Sequence, residues 1–223
     1  MLVSTAIYPK SLKSLGKKVV IVDNNKIISN EKNLIEKIVD FGSDIVDFVE
    51  TRRSIYFLDN YNRKIIKTDK NLNTIATIKI PKKLTFTKDF YGNEKTLYFM
   101  EKENNTIFTL KNGKFSELLK LNSFDKIINW EVLEKRVYVY TKDKITLFDT
   151  NGIFIKKIDS ENRVIKLREL DDFKIKQDID GVSVWEGGIK IREFKDCLDY
   201  EILDKKLYIL LKNGDIIGEK LYR

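Results

Sequence analysis

Carboxylates recur at matching places along this sequence. Asp23, Asp59, Glu101, Asp143 and Asp178 each stand at or just beyond the end of a short apolar run. A series of that kind raises the possibility of a metal-binding ring or of acid–base pairs. A second acidic and basic set, Asp44, Asp47, Lys88, Asp89, Glu131, Lys166, Asp199 and Glu201, is spread over the segments between those runs. A third group, Arg63, Lys64, Lys82 and Lys83, concentrates positive charge that could attract an acidic surface or a phosphate backbone. Other chemistry is excluded by composition. The chain has no histidine, which removes Ser-His and Cys-His nucleophile pairs, imidazole metal sites and the ordinary near-neutral proton shuttle. Its single cysteine, Cys197, has no partner for an intrachain disulfide and no spacing for a thiolate metal cluster.

Deciding between these readings requires the elements that carry the residues. With 42% hydrophobic and 34% charged residues, the 223-residue chain has apolar material for a core beneath a densely charged surface. No apolar run approaches the roughly 20 residues that span a bilayer. No charged leader precedes an apolar segment at the start, so the expected location is the cytoplasm.

Internal repetition organises the chain. The segment Ser54 to Lys70, "SIYFLDNYNRKIIKTDK", is a hydrophobic run, a polar hinge and a second hydrophobic run. The same pattern recurs near residues 17, 53, 95, 135, 172 and 205, at intervals of 36, 42, 40, 37 and 33 residues. That period is close to the length of a four-stranded propeller blade. A further β-pattern follows each hairpin and another precedes the next, giving a unit of four strands, a to d. The b strands are apolar at nearly consecutive positions, as in Ile55 to Leu58 and Leu97 to Met100, which implies cover on both faces. Asn-Gly and Asp-Gly pairs mark the tight turns. Residues 31–42, "EKNLIEKIVDFG", are the strongest helix candidate.

The stretch Ile55 to Ile78, "IYFLDNYNRKIIKTDKNLNTIATI", resembles an NHL-type or YncE-like propeller repeat, with looser versions in the other five units. The rhythm weakens between Asp172 and Trp185, where Lys174 and Lys176 interrupt the b strand. The resemblance implies an architecture that serves many functions, with a bias toward binding.

The expected fold is therefore all-β: a single six-bladed β-propeller over residues 1–223, with four antiparallel strands per blade. The N-terminal strand, Leu2 to Tyr8, is expected to complete the last blade and close the ring. In that geometry the carboxylates ending the b strands lie on a wide circle and serve as turn residues. The a strands carry Asp47, Asp89, Glu131, Lys166 and Asp199 to a central channel, where a carboxylate pair could support a hydrolase or lactonase-like reaction. Cys197 is read as a structural thiol, and Trp130 and Trp185 as fillers between blades. Residues 52–95 hold 11 Lys/Arg against 4 Asp/Glu. Within them Arg63, Lys64, Lys82 and Lys83 fall on one loop face, whereas Arg52, Arg53 and Lys70 fall on the other. The expected function is a non-enzymatic platform without cofactors or metal, binding a protein partner of acidic character through the face of Arg63, Lys64, Lys82 and Lys83. The alternatives are the channel hydrolase and an RNA- or DNA-binding propeller.

Overall fold

The computed structural model describes residues 11–15, 18–23, 26–28, 45–101, 103–121, 126–160 and 163–221. All regular structure among them is antiparallel β-sheet. An N-terminal sheet contains β1 (Ser11–Leu15), β2 (Lys18–Asp23) and β3 (Lys26–Ile28). Blade one is β4 (Ile45–Glu50), β5 (Ile55–Asp59), β6 (Lys64–Thr68) and β7 (Thr74–Lys79). Blade two is β8 (Phe86–Gly92), β9 (Leu97–Glu101), β10 (Thr106–Lys111) and β11 (Lys114–Lys120). Blade three is β12 (Asn129–Leu133), β13 (Arg136–Tyr140), β14 (Lys144–Asp149) and β15 (Phe154–Asp159). Blade four is β16 (Lys166–Leu170), β17 (Phe173–Gln177), β18 (Gly181–Glu186) and β19 (Ile189–Lys195). A C-terminal sheet contains β20 (Cys197–Leu203), β21 (Lys206–Leu211) and β22 (Ile216–Lys220).

Every strand pairs with its sequence neighbour, and the first strand of each sheet lies innermost, as in a β-propeller. The expected count of six four-stranded blades is corrected: the propeller has five blades. Four blades are complete among the described residues, and the sheets at either end of the chain have three strands each. Those two sheets form the closing sector, where β1 packs along β20. The expected closing strand, Leu2 to Tyr8, and the helix candidate at 31–42 lie outside the described residues. The strand that begins the N-terminal sheet, "SLKSL", escapes apolar-pattern reading because Lys13 and two serines interrupt it.

Burial explains the continuous apolar runs. All five residues of β5 and all five of β9 are buried, because each strand is second from the axis and has a sheet packed on both sides. The core is divided into layers between consecutive sheets. Blades one and two share the largest, where Phe86 and Phe90 stack on Phe99 at 4.8 and 5.3 Å between ring centroids. Trp130 fills the layer between blades two and three, edge-on to Tyr91 at 4.9 Å. The layer between blades three and four is smaller, built on Tyr140, Ile145, Leu147 and Val164. There the face of blade four presents Lys174 and Lys176, the residues that weaken the repeat in the sequence.

Candidate functional site: axial charges and loop faces

Three of the carboxylates at the b-strand ends, Asp59, Glu101 and Asp178, do turn chemistry. Asp59 accepts hydrogen bonds from the backbone N–H and the side-chain amide of Asn62, at 2.8 and 2.9 Å. Glu101 accepts from the N–H groups of Glu103 and Asn104, at 3.0 and 2.9 Å. Asp178 accepts from Asp180 and Gly181. Among the described residues no group of three or more metal-ligating side chains converges. The side chain of Asp23 is not among those described.

The axial residues are engaged across blade boundaries. Lys13 on β1 places its ammonium 2.6 Å from Asp47 on β4 and 3.2 Å from the carbonyl of Phe48. The same ammonium lies 5.4 to 6.0 Å from the ring centroids of Phe48, Phe90 and Tyr91, a cage of aromatic faces that offsets its loss of water. Asp47 Oδ2 also accepts the N–H of Phe90 at 3.1 Å, joining blades one and two. Its Oδ1 is buried without a hydrogen-bond partner. Burial, opposed by Lys13 and reinforced by Asp89, pushes the Asp47 carboxyl up to about 6.

Lys166 on β16 reaches Asp199 on β20 at 2.9 Å, and Asp199 accepts the backbone N–H of Leu12 on β1, also at 2.9 Å. Blade four, the C-terminal sheet and the N-terminal sheet are thus linked through one carboxylate. Between blades three and four, Glu131 receives both the Arg168 guanidinium and the Tyr140 hydroxyl. Burial alone would discourage ionisation of Arg168, but the Glu131 charge outweighs it and holds the guanidinium firmly protonated. Burial and the same carboxylate push the Tyr140 hydroxyl far above its ordinary range, so it remains a donor. Asn129 Nδ2 and Gln177 Nε2 complete the belt by donating to Ile165 and Leu198 carbonyls, at 2.8 and 2.9 Å.

Of the predicted axial residues, Asp47, Glu131, Lys166 and Asp199 are drawn into these contacts, and the side chain of Lys88 and all of Asp44 lie outside the described set. Lys13, Arg168 and Tyr140 were missed. Lys13 and Arg168 are cations on innermost strands, each facing an acid on the neighbouring sheet, whereas Tyr140 stands on the second strand of blade three and meets Glu131 within that blade.

The basic residues divide into two kinds. Arg63 donates to the carbonyls of Pro81 and Leu84, at 2.5 and 2.8 Å, and its own carbonyl accepts the N–H of Ile80 at 2.8 Å. It holds the loop between β7 and β8 against the β5–β6 turn. Lys64 is 3.6 Å from the buried Asp59 carboxylate. Lys82 and Lys83 are exposed on the loop that Arg63 supports. The four predicted residues therefore do come together, two as framework and two as exposed charge. Cys197 is half-buried with its thiol against the Phe194 carbonyl, and burial pushes it up from its ordinary value. That environment suits a structural thiol.

No protein-family model matches the sequence, and no curated protein matches it. Solved structures share the fold. BBS1N, crystallised in complex with ARL6DN, is similar with a TM-score of 0.60 at 12% identity, over 92% of this chain and 75% of that one. BamB from Moraxella catarrhalis gives 0.54 at 11% identity, over 96% and 82%. The virginiamycin B lyase of Staphylococcus aureus gives 0.51 at 15% identity, over 100% and 87%. The protein is a β-propeller. At these identities the likeness carries the fold and no finer family, so the NHL-type or YncE-like reading goes no further than the shared architecture. No helix among the described residues is long and apolar enough to cross a membrane.

Proposed function

We propose that this propeller is a non-enzymatic binding platform, working in the cytoplasm, that holds a protein partner on the loop face of blade one. The observation that carries the reading is a division of labour among its charges. Along the axis, Lys13, Asp47, Glu131, Lys166, Arg168 and Asp199 are committed to contacts between sheets. Lys82 and Lys83, by contrast, are exposed on a loop whose shape is fixed by Arg63. A rigid ledge presenting two lysines, with Lys64 beside it, is suited to carboxylates on a partner surface. One structurally similar propeller, BBS1N, was crystallised with a protein partner, which agrees with this use of the fold.

Reversing only the exposed pair, Lys82→Glu with Lys83→Glu, leaves the Arg63 and Lys64 framework in place. Affinity capture from native lysate with the unaltered protein is expected to retain a partner that the double variant loses. Equal capture by both proteins would remove this face from consideration. A partner that proves to be nucleic acid would shift the reading to phosphate recognition, with binding falling steeply as salt rises.

A further inference from the structure

The opposite face of the ring holds a second feature, independent of the Lys82–Lys83 ledge. A cleft of about 530 Å³ opens between blades one and two, within the roughly 300–1,000 Å³ typical of ligand sites. One wall is a row across blade one, in which Tyr56, Lys67 and Ala76 are register partners on β5, β6 and β7, with Ile78 beyond. The other is Leu97 and Leu110 of blade two, capped by the turns at 93–96 and 112–113. The floor is apolar and the rim is basic.

Three lysines make the rim. Lys67 lies with its ammonium 5.5 Å from the Tyr56 ring centroid, and Lys95 and Lys111 are exposed at the turns. The one carboxylate lining the cleft is Glu94, which accepts the backbone N–H of Arg53 and so ties the two blades together at the mouth. Its slight burial works against ionisation, but the Arg53 N–H, the Thr51 hydroxyl and the charges of Arg53 and Lys67 hold it below its ordinary value. Gly113, with φ of +74° and nothing within 4 Å of where a Cβ would stand, leaves the rim open.

We infer that this cleft is a docking site for an extended peptide that alternates acidic and apolar side chains. An extended strand sends successive side chains to opposite sides. One side would meet Lys95 and Lys111 at the turns and the other the apolar wall of Tyr56, Ala76 and Ile78, with the Lys67 ammonium over the Tyr56 ring at its edge. Charge complementarity selects the acidic class, and the apolar floor distinguishes such a peptide from a bare polyanion.

The test uses fluorescence anisotropy with a labelled hexapeptide of alternating glutamate and leucine, at about 50 mM salt so that screening is modest. Saturable binding is expected. It should weaken by about tenfold or more in Lys95→Glu with Lys111→Glu, where like charges face the ligand, and persist in Lys82→Glu with Lys83→Glu. A block peptide of the same composition, three glutamates followed by three leucines, should bind more weakly than the alternating one. The proposal is overturned by absence of saturable binding, by indifference to Lys95 and Lys111, by equal affinity for the block peptide, or by equally tight binding of an oligonucleotide of matched charge. Because the two pairs of lysines lie on different faces, failure here leaves the Lys82–Lys83 reading standing, and the reverse also holds.

Discussion

Asp47 is the residue at which proton binding and folding are most directly coupled. Its carboxyl rises from an ordinary 3.8 to about 6 because it is buried, so the folded protein binds a proton more tightly than the unfolded chain. Stability contributed by this group is therefore present below pH 4 and is lost as pH rises from about 4 to about 6. Thermal melts of the wild type and Asp47→Asn across that window should show the substitution removing this downward component, and a carboxyl-carbon NMR titration should place the midpoint near 6. The Glu131–Arg168 pair follows a different rule. Arg168→Met alone strands a buried carboxylate and should cost about 3–5 kcal/mol in chemical denaturation. Adding Glu131→Leu should recover much of that loss. A double variant as unstable as the single one would show that the pair does more than neutralise itself.

Turns show how far local sequence could be read. The Asn112-Gly113 hinge joins β10 to β11 with φ of 51° and 74°, the paired left-handed geometry that an Asn-Gly signal announces. Glu134-Lys135 and Asp204-Lys205 take the same geometry, with φ of 47° and 64° and of 49° and 62°, yet carry no such signal. Flanking strand pairing imposes it, against a side-chain penalty of about 1–2 kcal/mol per residue. Replacing Glu134-Lys135 with Asn-Gly should accordingly raise the denaturation midpoint. Gly181 is the opposite case. A Cβ there would stand 2.1 Å from the Phe194 carbonyl oxygen, so Gly181→Ala must part β18 from β19 and should lower the melting temperature by several degrees. The b strands were legible because burial on both faces leaves continuous apolar runs such as Ile55 to Leu58. β1 was not, because its central Lys13 answers to Asp47, 34 positions away. Pairings of that kind follow from ring geometry and leave no mark in a local window.

At the scale of the molecule, the repeat pattern announced a propeller, and the number of complete blades was the less legible part. A four-strand period counts units, but it does not say how the ends of the chain share strands. The basic cluster was legible as composition, whereas its division into framework and exposed charge depended on carbonyls of the β7–β8 loop that accept from Arg63. The closing sector has a mechanical meaning. Neighbouring blades are tethered by a short linker as well as by packing, but β1 and β20 meet with no such linker, the polypeptide between them running round the whole ring. The Leu12–Asp199 hydrogen bond, 187 positions apart in sequence, belongs to that seam. Under tension applied to the chain, this seam has only noncovalent contacts to resist it. It is therefore where the ring should part first, unrolling blade by blade from an opened circle.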